Sequence, residues 1–254
     1  MGAELRRLLI EPNRLADRDA NGCVSLRDEE RHYLRRVLRL RPGSAVAVVD
    51  GRGQLFDGLL LQDGAHLRLC TTLSTAPPNQ PKLGLAIALV RRGMEDVMRM
   101  ACELGVDCIQ PLAASRCTPQ AAYRPERWQV IIREAVEQCE RLWMPQLRPL
   151  VSAKSWWSMP DHSHGLTIAT TRLGGCAELD SWLRSQSPDA TCIWLAIGPE
   201  GGWEPQEQEQ ALEEGWSPIN LNDGILRSST AAIAGIAALS SWRRNLRPSS
   251  DLSC

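Results

Sequence analysis

The sequence has two lysines, Lys82 and Lys154, one phenylalanine, two tyrosines and a net charge of −1 over 254 residues. Its positive charge is therefore almost all arginine, a planar group suited to bidentate phosphate and carboxylate contacts. The genome's base composition can set arginine number, so only arginine position argues function. Near-zero net charge excludes a protein that is basic overall but not a local basic face. Residues 1–80 carry twelve basic and ten acidic side chains against seventeen and twenty in the remainder, a mild split.

Further absences narrow the class. None of the nine cysteines forms a C-x-x-C pair, and the four histidines are not at zinc-ligand spacing to them, so no metal site is expected. His162 and His164 sit in a polar loop and read as solvated residues. No apolar run reaches membrane-spanning length, and Leu8–Ile10 is too short for a signal peptide core. These features suggest a reducing, cytosolic setting with scattered thiols. The dinucleotide fingerprint G-x-G-x-x-G and the phosphate loop ending in G-K-[ST] are both missing.

What is present is ordered. Ala45–Asp50, Gln54–Leu61 and His66–Leu73 read as strands, with Gly51-Arg52-Gly53 as hairpin chemistry. Asp28–Leu40 reads as a helix: Leu34, Val37 and Leu38 repeat at helical spacing and Pro42-Gly43 stops it. Ala76–Pro81, with three prolines in six residues, marks a linker. Beyond it strands (83–90, 106–112, 166–170, 191–197, 218–221) alternate with helices (94–104, 125–141, 177–185, 204–214, 228–245). Such alternation predicts a parallel α/β sheet covered on both faces. The expected organisation is a small domain over 1–76, a linker over 77–82, an α/β domain over 83–246 and a flexible tail over 247–254.

Ligands of open parallel sheets bind beyond the carboxyl ends of the strands. The most specific loop there is Gly198-Pro199-Glu200-Gly201-Gly202, which can bring backbone close to a flat ring. The alternative is a tight turn without a ligand. The next loop, Leu221–Ser229, carries Arg227 at a helix N-terminus, where the dipole disfavours a cation. That placement suggests contact with an anion; otherwise Arg227 is a surface arginine. In the N-terminal part, Arg31, Arg35 and Arg39 fall at i, i+4, i+8 with Arg36 beside them. That face can meet phosphates or can be solvated and paired with Asp28–Glu30. Trp156-Trp157 fits core or dimer packing better than a stacking platform.

These residues, in order, resemble the ribosomal small-subunit methyltransferase E family of the SPOUT superfamily. The likeness rests on His32 to Gly43, Glu103-Leu104-Gly105-Val106 with Ile109 and Pro111, Arg116-Cys117, Glu137-Gln138-Cys139, Gly198–Gly202 and Leu226 to Ala231. It implies a PUA-like RNA-binding β-barrel followed by a trefoil-knotted α/β domain, acting as a homodimer in the cytoplasm. It implies transfer of methyl from S-adenosylmethionine to N3 of a uridine in 16S ribosomal RNA of the small subunit. By likeness the cofactor is held by Thr170, Thr171, Ile197, Gly198, Pro199, Glu200, Gly201, Gly202, Leu221, Leu226, Arg227 and Ser228. Arg31, Arg35, Arg36, Arg39 and Arg116 are the RNA-contacting set. Arg227 is the expected stabiliser of the uridine anion, with Glu200 or Asp223 accepting its proton. Glu200 can equally serve by capping loop amides. Ser229 stands where the family has glutamate, which keeps two alternatives open: a catalytically altered RNA-binding protein, or a ribose 2′-O-methyltransferase.

Overall fold

The computed structural model describes residues 7–159, 165–171, 173–187 and 190–246. His162, His164 and the expected tail 247–254 lie outside the described residues. The chain divides into two units: one groups the residues up to Pro78 with Arg133–Met144, the other groups Asn79–Ile132 with the residues from Pro145 onward.

The first unit contains β1 (Arg7–Leu9), α1 (Pro12–Ala16), β2 (Cys23–Ser25), α2 (Asp28–His32), a π-helical turn (Tyr33–Val37), β3 (Ala45–Val49), β4 (Gln54–Leu60) and β5 (His66–Thr75). Its sheet runs β1-β3-β4-β5-β2, with β1 parallel to β3 and the other pairs antiparallel. The β3–β4 hairpin turns on Gly51 and Gly53, both at positive φ. Leu8, Ile10, Leu34, Val46, Val48, Leu60 and Leu67 form its core. The short elements over 7–25 carry no repeating apolar period long enough to read from the sequence.

One helix expectation is corrected here. The α-helix predicted over Asp28–Leu40 ends at His32 and continues as the π turn, closed by Leu38 N–H donating to the Tyr33 carbonyl. The wider turn breaks the 3.6-residue phase, so Val37 is 59% exposed while Leu34 is fully buried. Arg39 then adopts φ 55° and leaves the helix. The straight stripe Arg31–Arg35–Arg39 therefore does not form, because it needs an uninterrupted α-helical phase.

The second unit holds β6 (Lys82–Ala88), α3 (Met94–Glu103), β7 (Cys108–Ala113), α4 (Pro125–Gln138), β8 (Gln146–Leu147), β9 (Val151–Ser152), α5 (Ala153–Trp157) and β10 (Leu166–Ala169). It continues with β11 (Ala177–Glu178), α6 (Leu179–Arg184), β12 (Cys192–Ile197), α7 (Pro205–Glu213), β13 (Ser217–Asn220) and α8 (Ser228–Asn245). The last residues of α4, from Arg133, group with the first unit. The helix expected over 177–185 thus begins with a two-residue strand, paired to β13.

All pairings in this sheet are parallel, in the order β11-β13-β10-β12-β6-β7-β8, with β9 also on β7. β6 and β12 are buried on both faces, which accounts for their unbroken apolar runs. The chain leaves β6 in one direction and later returns to the other side. β12 fills the gap between β6 and β10, so the loops after these strands gather at a switch of strand order.

Close approach holds the layers together. A Cβ at Gly84 would lie 2.3 Å from the Trp194 ring, and one at Gly235 in α8 would lie 2.2 Å from Leu195 Cδ2. Arg243 anchors the far end of α8 by pairing with Asp107 and donating to the Gly105 carbonyl at 2.7 Å. Trp156 and Trp157 are fully buried, in edge-to-face contact with Trp194, Trp203 and Trp216. No disulfide joins the described cysteines, and no described helix is long and apolar enough to cross a membrane.

Candidate active site

The glycine loop is built from behind by tryptophan. Trp157 packs against both Trp216 and Trp203, with ring centroids 5.0 and 5.2 Å away. Trp203 Nε1 donates to the Ala169 carbonyl at 3.1 Å, tying the loop after β12 to the end of β10. The Trp203 ring leaves no ordinary space for a side chain at Gly198, where a Cβ would sit 3.1 Å away. Gly201 faces the Arg116 backbone and Cβ, at 3.3 and 3.1 Å from such an atom. Gly202 has open space but φ 71°, and its N–H closes a turn on the Pro199 carbonyl at 2.8 Å. Three glycines thus answer three separate demands: a ring, a neighbouring backbone and a left-handed turn.

Two acidic side chains lock the surrounding loops. Glu207, buried in the first turn of α7, accepts from the Ser115 N–H and hydroxyl at 2.8 and 3.1 Å and from the Glu204 N–H at 3.1 Å. That fixes the loop after β7, from which Arg116 donates to the carbonyls of Gly201 and Trp203 at 3.4 and 3.2 Å. Glu200 Oε1 accepts from the Arg91 N–H at 2.9 Å, joining the glycine loop to the loop after β6. Gly93, at φ 85°, packs against Ser229, whose Cβ and Oγ lie 3.3 and 3.4 Å from where its Cβ would be. Ser229 thus borders the loop after β6, and Glu200 is the carboxylate held there.

Beside these loops a cavity of about 170 Å³ opens between the segments after β10 and after β13. Thr170, Thr171, Asn222 and Asp223 supply polar groups, and Leu173 and Ile225 supply exposed apolar surface. Thr170 is buried, and its N–H donates to the Ile219 carbonyl at 3.0 Å. Cys176 donates to the Leu173 carbonyl at 3.1 Å and lies 3.3 Å from Thr170 Oγ1, closing the cavity floor. Asn222 Nδ2 donates to the Gly224 carbonyl at 3.1 Å and shapes the opposite wall.

Of the residues expected to hold a cofactor, Thr170 and Thr171 line this cavity, together with the 222–225 part of the third loop. Ile197, just before the glycine loop, and Pro199 within it are buried, and Leu221 and Leu226 flank the cavity segment in sequence. Arg227 is exposed as the N-cap of α8, and Ser228 is buried in that helix's first turn. Leu173, Gly175, Cys176 and Asn220 also line the cavity and were missed, because nothing in an irregular segment announces which face it turns inward.

In the first unit, Arg31, His32, Arg35 and Arg36 line a pocket of about 450 Å³. Arg31 pairs with Asp28, whereas His32, Arg35 and Arg36 have no carboxylate partner among the described residues. The π turn is what groups them. Arg39 is absent from the lining, and Arg116 belongs to the glycine-loop site.

A parallel sheet with its ligand loops gathered at a strand-order switch, preceded by a small mixed sheet, has the build of an RNA-modifying methyltransferase. Residues 77–240 match the RNA methyltransferase domain family, and residues 26–67 match the RNA methyltransferase PUA domain family. The chain is 34% identical over 238 residues to the ribosomal RNA small subunit methyltransferase E of Synechocystis sp., covering 92% of this chain and 76% of the relative. Its fold overlays the Neisseria gonorrhoeae ribosomal RNA small subunit methyltransferase E bound to S-adenosyl methionine at TM-score 0.79. That pair is 29% identical over 94% of this chain and 98% of the other. A Legionella pneumophila methyltransferase in complex with the bound cofactor SAM overlays at 0.80, with 26% identity over 94% and 98%. This chain belongs to the ribosomal RNA small subunit methyltransferase E family, and it is an RNA methyltransferase.

Proposed function

We propose that this enzyme methylates N3 of a uridine in 16S ribosomal RNA, using S-adenosylmethionine held at the loops after β10, β12 and β13. The observation that carries the reading is the mutual locking of the glycine loop by Trp203, Arg116 and Glu200, next to a cavity with hydroxyl, amide, carboxylate and apolar walls. Those walls fit the cofactor. Leu173 and Ile225 can cover a flat ring, and Thr171 and Asn222 can hydrogen-bond a ribose. The bound cofactor supplies an electrophilic methyl group.

The residues of the chain do the rest. The locked loops hold both partners in line, which supplies most of the acceleration such a transfer needs. Uridine N3 is nucleophilic only as it loses its proton, and Arg227 stabilises the resulting anion. Asp223 or Glu200 takes the proton. The pocket of Arg31, Arg35 and Arg36 holds RNA phosphates. The enzyme works as a cytoplasmic homodimer with a knotted catalytic domain, as its family resemblance implies.

The test is to incubate the protein with S-adenosylmethionine and unmethylated small-subunit RNA, digest the RNA and identify the product nucleoside by mass. We expect 3-methyluridine. A ribose-methylated nucleoside, or no product despite measured cofactor binding, would overturn the assignment in favour of one of the two alternatives that Ser229 leaves open.

A further inference from the structure

We propose that Arg91 and Arg92, in the loop between β6 and α3, hold phosphates of the RNA strand flanking the nucleotide under modification. This deepens the methyltransferase reading and rests on it.

Three observations support the assignment. First, the loop is fixed to the catalytic loops rather than free beside them. The Arg91 N–H is held by Glu200 at 2.9 Å, and Gly93 packs on Ser229 at the start of α8. Second, both guanidinium groups are exposed and have no carboxylate partner among the described residues. The acidic side chains nearby in sequence are engaged elsewhere: Glu95 with Arg127 at 3.5 Å, and Asp96 and Glu103 with Arg99 at 3.6 and 2.9 Å. Third, the position is electrostatically unfavourable without a ligand. Arg91 and Arg92 directly precede the N-terminus of α3, and Arg227 precedes that of α8, two helices packed on each other. Both dipoles point their positive ends toward these three cations. The folded chain gains nothing from that arrangement, whereas a polyanion placed over it gains from every charge.

The chemistry selects the partner. Sequence-specific RNA recognition uses single-stranded loops and ends, whose phosphates are accessible on both sides of a splayed base. Phosphate contacts then set register while the pocket reads the base. Arg91 and Arg92, on a loop tied to Glu200 and Ser229, perform that registering task.

The double variant Arg91→Gln/Arg92→Gln tests it, with Arg91→Lys/Arg92→Lys as its charge-preserving partner and Arg184→Gln, from the exposed Arg184–Asp180 pair of α6, as a surface control. Binding of an in vitro 16S transcript is measured between 50 and 200 mM salt, and S-adenosylmethionine affinity by calorimetry. For two lost phosphate contacts the slope of log K against log salt should flatten by about 1.4, at about 0.7 per single-strand contact. KM for RNA should rise about tenfold, with cofactor affinity within twofold of the parent protein. The lysine variant and Arg184→Gln should keep the parent slope. An unchanged slope in the glutamine variant, or an equal loss of cofactor affinity, overturns the proposal. Failure of the unaltered protein to transfer methyl would count against the activity alone, because the slope is read without turnover.

Discussion

At the scale of single residues, Arg227 and Glu200 separate by what the fold already asks of them. Arg227 occupies the N-cap position of α8 and is exposed, so its guanidinium is available to a ligand. Arg227→Ala should lower kcat by about 10²–10³, as loss of an anion-stabilising donor does. Equal weakening of S-adenosylmethionine binding, measured by calorimetry, would show instead that Arg227 only grips cofactor. Glu200 already holds the Arg91 amide. Glu200→Gln keeps that acceptor and removes the base, whereas Glu200→Ala removes both. If Glu200 acts by positioning, the glutamine variant retains most activity and the alanine variant loses it. Matched losses in both, compared at one pH, would assign proton transfer to this carboxylate.

Among elements, the last turns of α4 show how burial overrides charge pairing. Glu137 accepts from the Leu9 N–H at 2.8 Å and lies 3.6 Å from Arg133, yet its pKa is pushed up to about 7. Burial is the main cause and outweighs the Leu9 amide and Arg133. Arg133 is also shared with Glu11 and Glu30, so no single carboxylate has its full charge. Burial also opposes ionisation of Glu30, but there the Arg14 hydrogen bond and the Arg27 amide prevail and hold it below the usual range. The signs follow by linkage. Glu30 adds stability that is present above its unfolded pKa of about 4.5 and lost as pH falls. Glu137 keeps a proton in the folded state that the unfolded chain releases, so its effect is to reduce stability as pH rises from about 4.5 toward 7. Glu137→Gln, which preserves an acceptor for Leu9, should flatten that decline in thermal midpoint between pH 5 and 7. An identical pH profile in both proteins would remove Glu137 as its source.

This same region marks what the sequence makes legible. The long apolar strands β6 and β12 announce themselves, because burial on both faces leaves no polar position to confuse the period, and α8 does so by its length of 18 residues. The glycine loop is visible for a similar reason: Gly198, Gly201 and Gly202 serve neighbours that no other residue would tolerate. The π turn at Tyr33–Val37 leaves no such trace, since one extra residue per turn is specified by packing of Leu34 and not by any residue type. Nor does the Glu207–Ser115 contact, whose partners stand 92 positions apart.

For the whole molecule, the proposed RNA contacts fall on two basic surfaces carried by different units: Arg31, Arg35 and Arg36 in the first and Arg91 with Arg92 in the second. Each surface alone offers only a few phosphate contacts, and single exposed contacts of this kind are weak and salt-sensitive. If one RNA engages both surfaces, the second engagement is intramolecular and the affinity exceeds that of either surface by itself. Counterion release is nonetheless additive in the number of phosphates neutralised, whatever the order of engagement. Arg35→Glu/Arg36→Glu should therefore flatten the salt slope for 16S RNA, and combining it with Arg91→Gln/Arg92→Gln should flatten it by about the sum of the two changes. A combined variant no flatter than the more affected parent would mean that one strand contacts only one surface at a time. Two-site capture of the substrate would then have to be abandoned, even if each surface binds RNA when assayed alone.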